Sequence, residues 1–560
     1  MIYHLQFPRL HSLIRKFGRQ PKPSLPISQF HDWYNNEHGP TRLRLPFCKN
    51  GFRYQATDLA DAGGTCEKPE WMAVYDITDM AELTKDAYLR LRDPPVKSQR
   101  EVDTMKQINV DRKLYDFVES RESKGFRELE NVEEEGRGNV MIAVFLDLKE
   151  GKDMVAEVDN WYRQEHIDML SKVPGWLRTR RYVTSSIDSK APMEYLSLHE
   201  YAPENGLAGE EFRAATSTPW HNKIMAEVVK EKRRRAYSLY YTFGAAPRHL
   251  DSKLSAWELS DPESLKTKTI PESPGGAGAI ESWVTTADGV DLPFKLEGSS
   301  DPKAPLIVLA NSILVDYGIW DGFIASFFSI PENKKYRVLR YLSRGRSSKC
   351  GTQTVTVDVL ASDIIALLDT LQVKKAAAII GVSLGGATVL NTALKYPNRI
   401  ESFIACDTSS KSPAGNSKAW GDRIAMSEKE GATLSGEAIV GSELAEITTR
   451  RWFVPESYDG GAREHICLAV KKMVETNSRE GFKKSVNALF EYDLREEMKT
   501  CSVKGAFVVG GSDGVLPATM KEMAASYGKG AEYEVIEGAG HLPMVEKPQE
   551  FAEFVTGFLG

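Results

Sequence analysis

The sequence of 560 residues predicts an α/β fold in its C-terminal half and a smaller α+β region before it. From residue 280 onward, segments typical of buried strands alternate with segments typical of helices, which favours a mostly parallel sheet covered by helices on both faces. A Gly-x-Ser-x-Gly sequence lies between one such strand and the helix that follows it. In the first half, one segment occurs twice, which predicts a duplicated domain.

Composition and charge exclude several classes of protein. The 41% hydrophobic and 27% charged residues are ordinary for a globular protein, and the length predicts three units, two small and one large. The formal net charge of −6 argues against nucleic acid as the main partner. No apolar run approaches the roughly 18 residues of a membrane-spanning helix, so no membrane partner is expected. Six scattered cysteines form no CxxC pair and predict neither a zinc site nor disulfides, which favours a reducing, cytoplasmic location.

Residues 1–27 are predicted to form an N-terminal arm. The first 31 residues contain no Asp or Glu and carry five cations, which are Arg9, Arg15, Lys16, Arg19 and Lys22. They include no long apolar core, so a secretory signal is not expected. A poorly ordered arm and a mitochondrial presequence remain as the two interpretations of this composition.

Two segments of the first half match at a constant spacing of 128 residues without a gap. Residues 33–54 read WYNNEHGPTRLRLPFCKNGFRY, and residues 161–182 read WYRQEHIDMLSKVPGWLRTRRY. The seven matching positions are Trp33/Trp161, Tyr34/Tyr162, Glu37/Glu165, His38/His166, Pro46/Pro174, Arg53/Arg181 and Tyr54/Tyr182. We predict two copies of one small domain, each with a helix, a Pro-containing turn and two strands. In the second copy the strand NVMIAVFLDL precedes the helix, whereas the first copy has no clear equivalent before Phe30. The first strand of that copy is either degenerate or supplied irregularly by residues 1–8.

The WYxxEH helix and the strand order resemble the EthD-like family of ferredoxin-like, dimeric α+β barrel domains. We place one repeat at residues 28–130 and the other at 131–245. The resemblance implies two four-stranded sheets packed face to face, formed by the tandem repeat within one chain or across a homodimer.

The repeated histidines allow two interpretations. His38 and His166 could be acid–base groups of a cyclase or isomerase in a barrel cavity, as in related barrels. The alternative is that they pack against the sheet, with Glu and His adjacent in sequence and not facing each other on the helix. We favour this alternative, because a functional histidine needs a partner that the sequence does not identify. The basic run Lys230 to Arg235 is predicted to be the solvated end of a helix.

Residues 246–278 are predicted to be a linker, and residues 279–560 the large domain. Pro, Ser and Gly accumulate in the linker and apolar periodicity disappears. We place the boundary near Gly275 to Gly278.

The candidate nucleophile is Ser383. It lies in Gly381-Val382-Ser383-Leu384-Gly385, between the apolar strand AAAII and the helix GATVLNTALKYP. That context is typical of a nucleophile elbow, a strained turn whose small neighbours let strand and helix approach closely. The backbone N–H of Leu384, the residue after the nucleophile, is a predicted oxyanion donor.

A serine hydroxyl needs a base to remove its proton, and only two histidines follow residue 280. His465 lies in a helical stretch, whereas His541 follows the strand EYEVIEGAG on a loop, so His541 is the predicted base. Asp513 follows the strand GAFVVGGS and satisfies the chain order Ser, Asp, His. Asp407, after the strand SFIAC, is the second candidate for the acid.

Residues 280–560 resemble the 3-oxoadipate enol-lactonase branch of the α/β-hydrolases. The resemblance rests on ANS followed by Trp320, VLRYLSRGRS, GVSLGG, RWFVP, EYDLRE and GGSDG…GAGHLPMVEKP, in that order. It implies an α/β-hydrolase fold with a helical cap. It also implies that Ile313 supplies the second oxyanion N–H, because most hydrolases of this fold have His-Gly at Asn311-Ser312. This chain departs from the family at Leu342, normally Asp, and at Arg346, normally His.

The helical cap is predicted at about residues 408–495, where mixed helical sequence interrupts the strand pattern. Caps of this kind line substrate pockets. The candidate substrate-binding residues are Trp420, Arg423, Arg451 and Trp452, with Phe490 beside them. For each of them, ordinary packing within the cap is the alternative.

We therefore predict a serine hydrolase that cleaves a lactone or ester of a small organic substrate, aromatic-catabolic or polyketide-derived, through an acyl-enzyme. No metal or organic cofactor is expected. One alternative is a C–C bond hydrolase or lyase with the same triad. Another places a cyclase, an isomerase or a dimerisation module in the N-terminal barrel.

Overall fold

The computed structural model describes residues 13–59, 63–93, 97–128, 138–187, 191–257, 267–274 and 277–560. The chain folds into two compact units that divide between Ala245 and Ala246. Within the described ranges, no helix combines the length and the apolar character needed to cross a membrane.

The first unit is a closed antiparallel barrel. Its strands are β1 (Leu13–Pro21), β2 (Cys48–Ala56), β3 (Trp71–Ile77), β4 (Ile108–Glu122), β5 (Val140–Leu148), β6 (Trp176–Thr184), β7 (Tyr195–Tyr201) and β8 (Val229–Thr242). They pair in the order β1-β3-β2-β8-β5-β7-β6-β4. Each repeat supplies four strands, and β2–β8 and β4–β6 join the two repeats. The barrel therefore closes within one chain.

Alternate residues of these strands point into the barrel and fill it. Tyr54, Tyr115, Tyr182 and Tyr237 are buried there with aliphatic side chains between them. This alternation is what a small barrel requires, because every second side chain faces its interior.

Short helices cover the outside of the barrel. They are α1 (Ile27–Trp33), α2 (Gly39–Leu43), α3 (Asp86–Leu89), α4 (Gln99–Met105), α5 (Met154–Trp161), α6 (Ile167–Leu170), α7 (Glu210–Ala215) and α8 (Pro219–Lys223). Both WYxxEH segments end in a π-helical turn, at Tyr34–His38 and Tyr162–His166. Such turns are rare and occur often at functional sites.

Two predictions for this unit are wrong. Residues 13–21 of the predicted arm form β1, which pairs with β3 and β4, and this strand is the equivalent that the first repeat lacked before Phe30. The basic run Lys230 to Arg235 lies in β8, not in a helix. Its charges alternate between the two faces of the strand, and Arg233 and Arg235 form ion pairs with Glu194 and Asp58.

The second unit is built on a nine-stranded sheet. Its strands are β9 (Lys268–Ile270), β10 (Ala279–Thr285), β11 (Asp291–Gly298), β12 (Leu306–Ala310), β13 (Arg337–Tyr341), β14 (Ala378–Val382), β15 (Ser402–Cys406), β18 (Lys504–Gly510) and β19 (Glu532–Ile536), with a separate hairpin of β16 (Thr433–Leu434) and β17 (Glu437–Ala438). The order is β19-β18-β15-β14-β12-β13-β11-β10-β9. Strands β13, β12, β14, β15, β18 and β19 are parallel to one another, whereas β9, β10 and β11 pair antiparallel, and β11 pairs antiparallel with β13. The predicted α/β sheet is confirmed.

Helices pack on both faces of this sheet over two hydrophobic clusters. They are α9 (Asp321–Ser329), α10 (Val357–Thr370), α11 (Leu384–Lys395), α12 (Asn416–Glu430), α13 (Ser442–Trp452), α14 (Pro455–Tyr458), α15 (Glu464–Glu475), α16 (Arg479–Val486), α17 (Arg495–Met498), α18 (Leu516–Ser526), α19 (Pro543–Glu546) and α20 (Pro548–Leu559). Helices α12 to α17 lie between β15 and β18, where the sequence predicts the cap.

Part of the predicted linker belongs to the second unit. Leu250 and Leu254 are buried, and β9 pairs with β10. Pro, Ser and Gly in this segment mark turns, but a few apolar residues spaced between them are enough to attach it to the sheet. The predicted boundary near Gly275 to Gly278 lies partly outside the described residues.

Candidate active site

Ser383 occupies a strained turn between β14 and α11. Its backbone has φ 59° and ψ −117°, and its N–H donates a hydrogen bond to the Cys406 carbonyl, at 2.8 Å. A Cβ atom at Gly381 would lie 2.2 Å from the Gly385 carbonyl oxygen, and one at Gly385 would lie 2.3 Å from the Ala310 carbonyl oxygen. Only glycine fits these two positions, so the Gly-x-Ser-x-Gly spacing is what allows the strand and helix to meet behind the serine.

His541 and Asp513 are hydrogen-bonded to each other. His541 Nδ1 lies 2.7 Å from Asp513 Oδ2. With the Nδ1 proton donated to the carboxylate, Nε2 carries the lone pair that can accept a proton. Burial opposes ionisation of Asp513, but the hydrogen bond and charge of His541 outweigh it and hold the Asp513 pKa below its ordinary value.

The loop that carries His541 is fixed from two sides. The His541 N–H donates to the Trp452 carbonyl at 2.7 Å, and the two rings stack with their centroids 5.7 Å apart. The buried carboxylate of Glu546 accepts hydrogen bonds from Gly540 N–H at 2.6 Å and Val454 N–H at 3.0 Å. Sequence reasoning missed Glu546. The signal was a glutamate five residues after His541 in a segment otherwise apolar.

Asp407, the second candidate acid, lies beside the first. Its side chain is fully buried, and Oδ1 accepts the Gly510 N–H at 2.9 Å. One oxygen or nitrogen each of Asp407, Asp513 and His541 lie within 4.8 Å of one another. Burial raises the pKa of Asp407 well above its ordinary value, and the charge of Asp513 raises it further. A protonated Asp407 can donate to Asp513 and is a poor ligand for a cation.

The two predicted oxyanion donors lie at helix and turn positions that leave the N–H available. Leu384 is the first residue of α11, where no carbonyl within the helix can accept its N–H. Ile313 follows β12 in a turn whose next residue, Leu314, has φ 72°. Asn311 holds this turn: Nδ2 donates to the Tyr341 carbonyl, and Oδ1 accepts from Trp320 Nε1, both at 2.9 Å.

Arg346, one of the two departures from the enol-lactonase pattern, attaches this turn to the cap. Its guanidinium donates to the carbonyls of Leu314 and Met473 and to the Thr476 hydroxyl. At the other departure, the backbone N–H of Leu342 donates to the Pro293 carbonyl. Arg346 therefore fixes the oxyanion turn relative to α15.

The four candidate substrate-binding residues fall into two pairs. Trp452 and Arg451 end α13 beside His541 and Asp513, where Trp452 packs on the His541 ring and the charge of Arg451 interacts with that of Asp513. Trp420 and Arg423 lie on α12 with the guanidinium 4.7 Å from the indole centroid. Trp420 also packs against Phe482 of α16. Phe490 is partly buried against the same core.

Comparisons with known proteins agree with this architecture. Residues 307–554 match the alpha/beta hydrolase family. Two 3-oxoadipate enol-lactonases of Acinetobacter baylyi are 26% and 29% identical, over 49% of this chain and 96% and 95% of their own lengths. The solved enol-lactonase of Burkholderia xenovorans is 25% identical with a TM-score of 0.44, over 50% of this chain and 99% of its own. On the family match and the two relatives, residues 307–554 are an α/β-hydrolase that resembles 3-oxoadipate enol-lactonase.

Proposed function

We propose that the second unit hydrolyses a lactone or ester of a small organic acid through an acyl-enzyme. Ser383 Oγ attacks the carbonyl carbon while His541 Nε2 takes the hydroxyl proton. The N–H groups of Leu384 and Ile313 stabilise the oxyanion, and Asp513 stabilises the imidazolium. The leaving oxygen then departs with the proton from His541. A water molecule, deprotonated by His541, cleaves the acyl ester and restores Ser383.

The observation that carries this proposal is the 2.7 Å contact between His541 and Asp513 at the edge of the sheet where the strained Ser383 turn also lies. It fixes the tautomer that leaves Nε2 available for the serine proton. The relatives named enol-lactonase support a lactone among the substrates. The same triad could cleave a C–C bond of a diketone, and the products of the reaction distinguish the two.

The test is the full chain incubated with 4-nitrophenyl acetate and with candidate lactones. Mass spectrometry of the quenched protein should find an acyl adduct on the peptide that contains Ser383. The Ser383→Ala variant should lose the adduct and on the order of 10⁶ in turnover. Ser362→Ala, an exposed serine of α10, is the matched control and should keep the parent rate.

A Ser383→Ala protein with an unchanged circular dichroism spectrum and turnover within about tenfold of the parent contradicts the proposal, since tenfold is only about 1.4 kcal/mol of barrier. An adduct on another residue would also contradict it. Release of a ketone and an acid from a diketone, with no lactone turnover, would favour the C–C hydrolase.

We also propose that the barrel is a tandem pair of EthD-like domains that serves architecture and assembly. The closed eight-stranded order and the shared WYxxEH framework support this proposal. We further propose that the protein forms a homodimer through the barrel and that it is cytoplasmic. Sedimentation of the full chain over a range of concentrations tests the dimer.

A further inference from the structure

The two repeats build the same frame around their histidine. In the first, Ser98 caps α4 and its hydroxyl donates to Glu37 at 2.6 Å. In the second, Thr218 caps α8 and donates to Glu165 at 2.6 Å. The WYxxEH glutamate therefore has the same partner in both repeats. The third residue after each cap points toward the histidine, and there the repeats differ: it is Glu101 in the first and His221 in the second.

In the first repeat, charged side chains fill the space around the histidine. His38 Nδ1 lies 3.1 Å from Glu101 Oε1, and His38 Nε2 lies 3.0 Å from an Arg19 nitrogen. Arg42 donates to the same Glu101 oxygen at 2.9 Å. Because arginine can only donate, His38 accepts at Nε2 and donates from Nδ1. Both ring nitrogens are occupied.

In the second repeat, two leucines and a histidine occupy the equivalent positions. The strand registers align Arg19 with Leu146, and the spacing of 128 residues aligns Arg42 with Leu170. The place of Glu101 is taken by His221. A cavity of about 50 Å³ remains there, and Leu146, Leu170, His166 and His221 all line it.

Polar atoms in the wall of this cavity lack partners. His221 Nδ1 and the Tyr201 hydroxyl are buried, and no group among the described residues forms a hydrogen bond with either. His166 uses one nitrogen, since Nδ1 donates to the Ala215 carbonyl at 3.1 Å. An unpaired buried polar group costs free energy, so the fold leaves this space without the partners that the first repeat supplies.

The charge of the wall is of one sign. Lys232 and Arg234 line the cavity from β8, and their side chains are exposed to solvent. None of the described lining residues is Asp or Glu. The rest of the wall is aliphatic or aromatic apart from Thr216 and the three histidines, of which His199 is the third. This arrangement favours a ligand with an apolar body and an anionic group.

We propose that this pocket of the second repeat binds an organic carboxylate. Its apolar end enters between His166 and His221, and its carboxylate lies beside Lys232 and Arg234. At roughly 10–15 Å³ for each water-sized group, the enclosed volume holds about four heavy atoms. A short-chain acid fits completely, and a longer acid extends past the mouth.

The histidines contribute no charge to this site. Burial lowers the pKa of His199 to about 3, and burial together with the charges of its neighbours lowers the pKa of His166 well below its ordinary value. Both are therefore neutral near pH 7. The attraction for the carboxylate comes from Lys232 and Arg234.

The test uses the full chain and 4,4,4-trifluorobutanoate, whose trifluoromethyl group supplies the four heavy atoms and a ¹⁹F signal. We expect a saturable change in the ¹⁹F line width of the bound probe. The neutral 4,4,4-trifluorobutanamide should bind at least about fivefold more weakly, the effect of about 1 kcal/mol from the two cations. Lys232→Gln, which removes one of the two cations, should weaken binding by about twofold, and the matched variant Lys230→Gln, on the same strand outside the pocket, should not.

A second variant tests the site itself. Thr216→Trp places a large ring at a partly exposed lining position and should abolish the ¹⁹F change, while hydrogen exchange of the barrel strands in the same protein reports that this unit is folded. Binding that survives Thr216→Trp, or that Lys230→Gln weakens as much as Lys232→Gln, overturns the proposal. The absence of any saturable change with the parent protein overturns it too.

Discussion

The histidine of the hydrolase unit and the repeated histidines of the barrel differ in how much of each ring the fold occupies. His541 is paired on one side only, with Asp513, and their side chains are 12% and 16% exposed. His38 is paired on both sides, and its side chain and that of Glu101 are 3% and 5% exposed. His166 is buried like His38 but has one ring nitrogen paired with protein, like His541.

The difference shows that the surroundings decide the role of a histidine, and a repeated motif does not. WYxxEH gives both repeats the same helix, and in both its glutamate accepts a hydrogen bond from the N-cap residue of a neighbouring helix. Yet Arg19 and Glu101 bind one imidazole on both sides, while Leu146 and His221 leave the other beside a cavity. His541 lies on a loop next to a strained serine, where a base can reach a substrate.

The largest expected effect distinguishes Asp513 from Asp407 as the carboxylate that orients His541. Asp513→Asn should lower kcat/KM for an aryl ester by roughly 10⁴, because an amide cannot hold the imidazole in its productive tautomer. Asp407→Asn should cost less than about tenfold, since an amide keeps the size of the side chain and its oxygen can still accept the Gly510 N–H. Steady-state kinetics of the two variants check this.

Asp422→Asn, an exposed cap residue, is the control for general effects of removing a carboxylate. A large loss for Asp407→Asn with little for Asp513→Asn would reverse the assignment of the acid.

The next effect tests the ion network of the first repeat. Glu101→Ala leaves Arg42 without its carboxylate and His38 without an acceptor for Nδ1, all in a buried site. We expect a loss of about 3–5 kcal/mol of barrel stability, as for other broken buried ion pairs. Hydrogen exchange of amides in β1 to β4, followed by mass spectrometry, measures this unit separately from the hydrolase.

His221→Ala is the matched change in the second repeat, and we expect it to cost less than about 2 kcal/mol, because it removes a group whose Nδ1 is already unpaired. Equal losses for the two variants would show that the open site is as tightly stabilised as the filled one.

The sequence predicts the hydrolase half better than the barrel, for a physical reason. Ser383, Asp513 and His541 each follow a strand that is apolar throughout, so their positions at one edge of a parallel sheet follow from the pattern. The strand β1, with sequence LIRKFGRQP, and the basic start of β8 carry charges on both faces, because ion pairs surround the barrel, and their pattern does not indicate strands. Buried ion pairs are specified by residues distant in sequence, which periodicity does not detect.

The closeness of Asp407 to Asp513 was within reach of sequence reasoning. β15 and β18 are neighbours in the sheet, so residues that follow them meet at the same edge. The inserted cap separates these strands by about a hundred residues and hides the relation. The contacts of Arg346 with Leu314 and α15 could not be predicted, because they depend on where the cap lies on the sheet.

A smaller effect distinguishes the two units by pH. The barrel contains buried neutral histidines, among them His199 with a pKa of about 3, and the unfolded chain binds their protons near pH 6.5. Because the folded pKa is the lower one, their contribution to stability is complete above about pH 6.5 and falls as the pH drops toward 3, at about 1.4 kcal/mol per pH unit for each group. From pH 7.5 to 5.5 we expect the protection factors of the barrel amides, which are corrected for the slower intrinsic exchange in acid, to fall.

Over the same range the stability of the hydrolase unit should change little. Burial raises the pKa of its carboxyl groups Asp363 and Glu546, and the contribution of such groups to stability is not lost in acid. His199→Gln should remove part of the acid sensitivity of the barrel. An equal fall of the protection factors in both units, or no change with His199→Gln, would contradict this account.

The smallest expected effect concerns hydrolysis after the barrel histidines are removed. The double variant His38→Ala, His166→Ala should keep turnover of 4-nitrophenyl acetate within about twofold, because the proposed chemistry requires only Ser383, His541 and Asp513. Loss of His38 should lower barrel stability, so the assay is run at a temperature where circular dichroism shows the variant folded. His465→Ala, an exposed histidine of the cap, is the control for the hydrolase unit.

The decisive comparison uses the natural substrate once an acyl adduct has identified it. If the double variant loses that reaction while the aryl ester is still hydrolysed at the parent rate, the barrel is a second active site and its role is not architectural. If both reactions persist, the barrel histidines take no part in the hydrolysis.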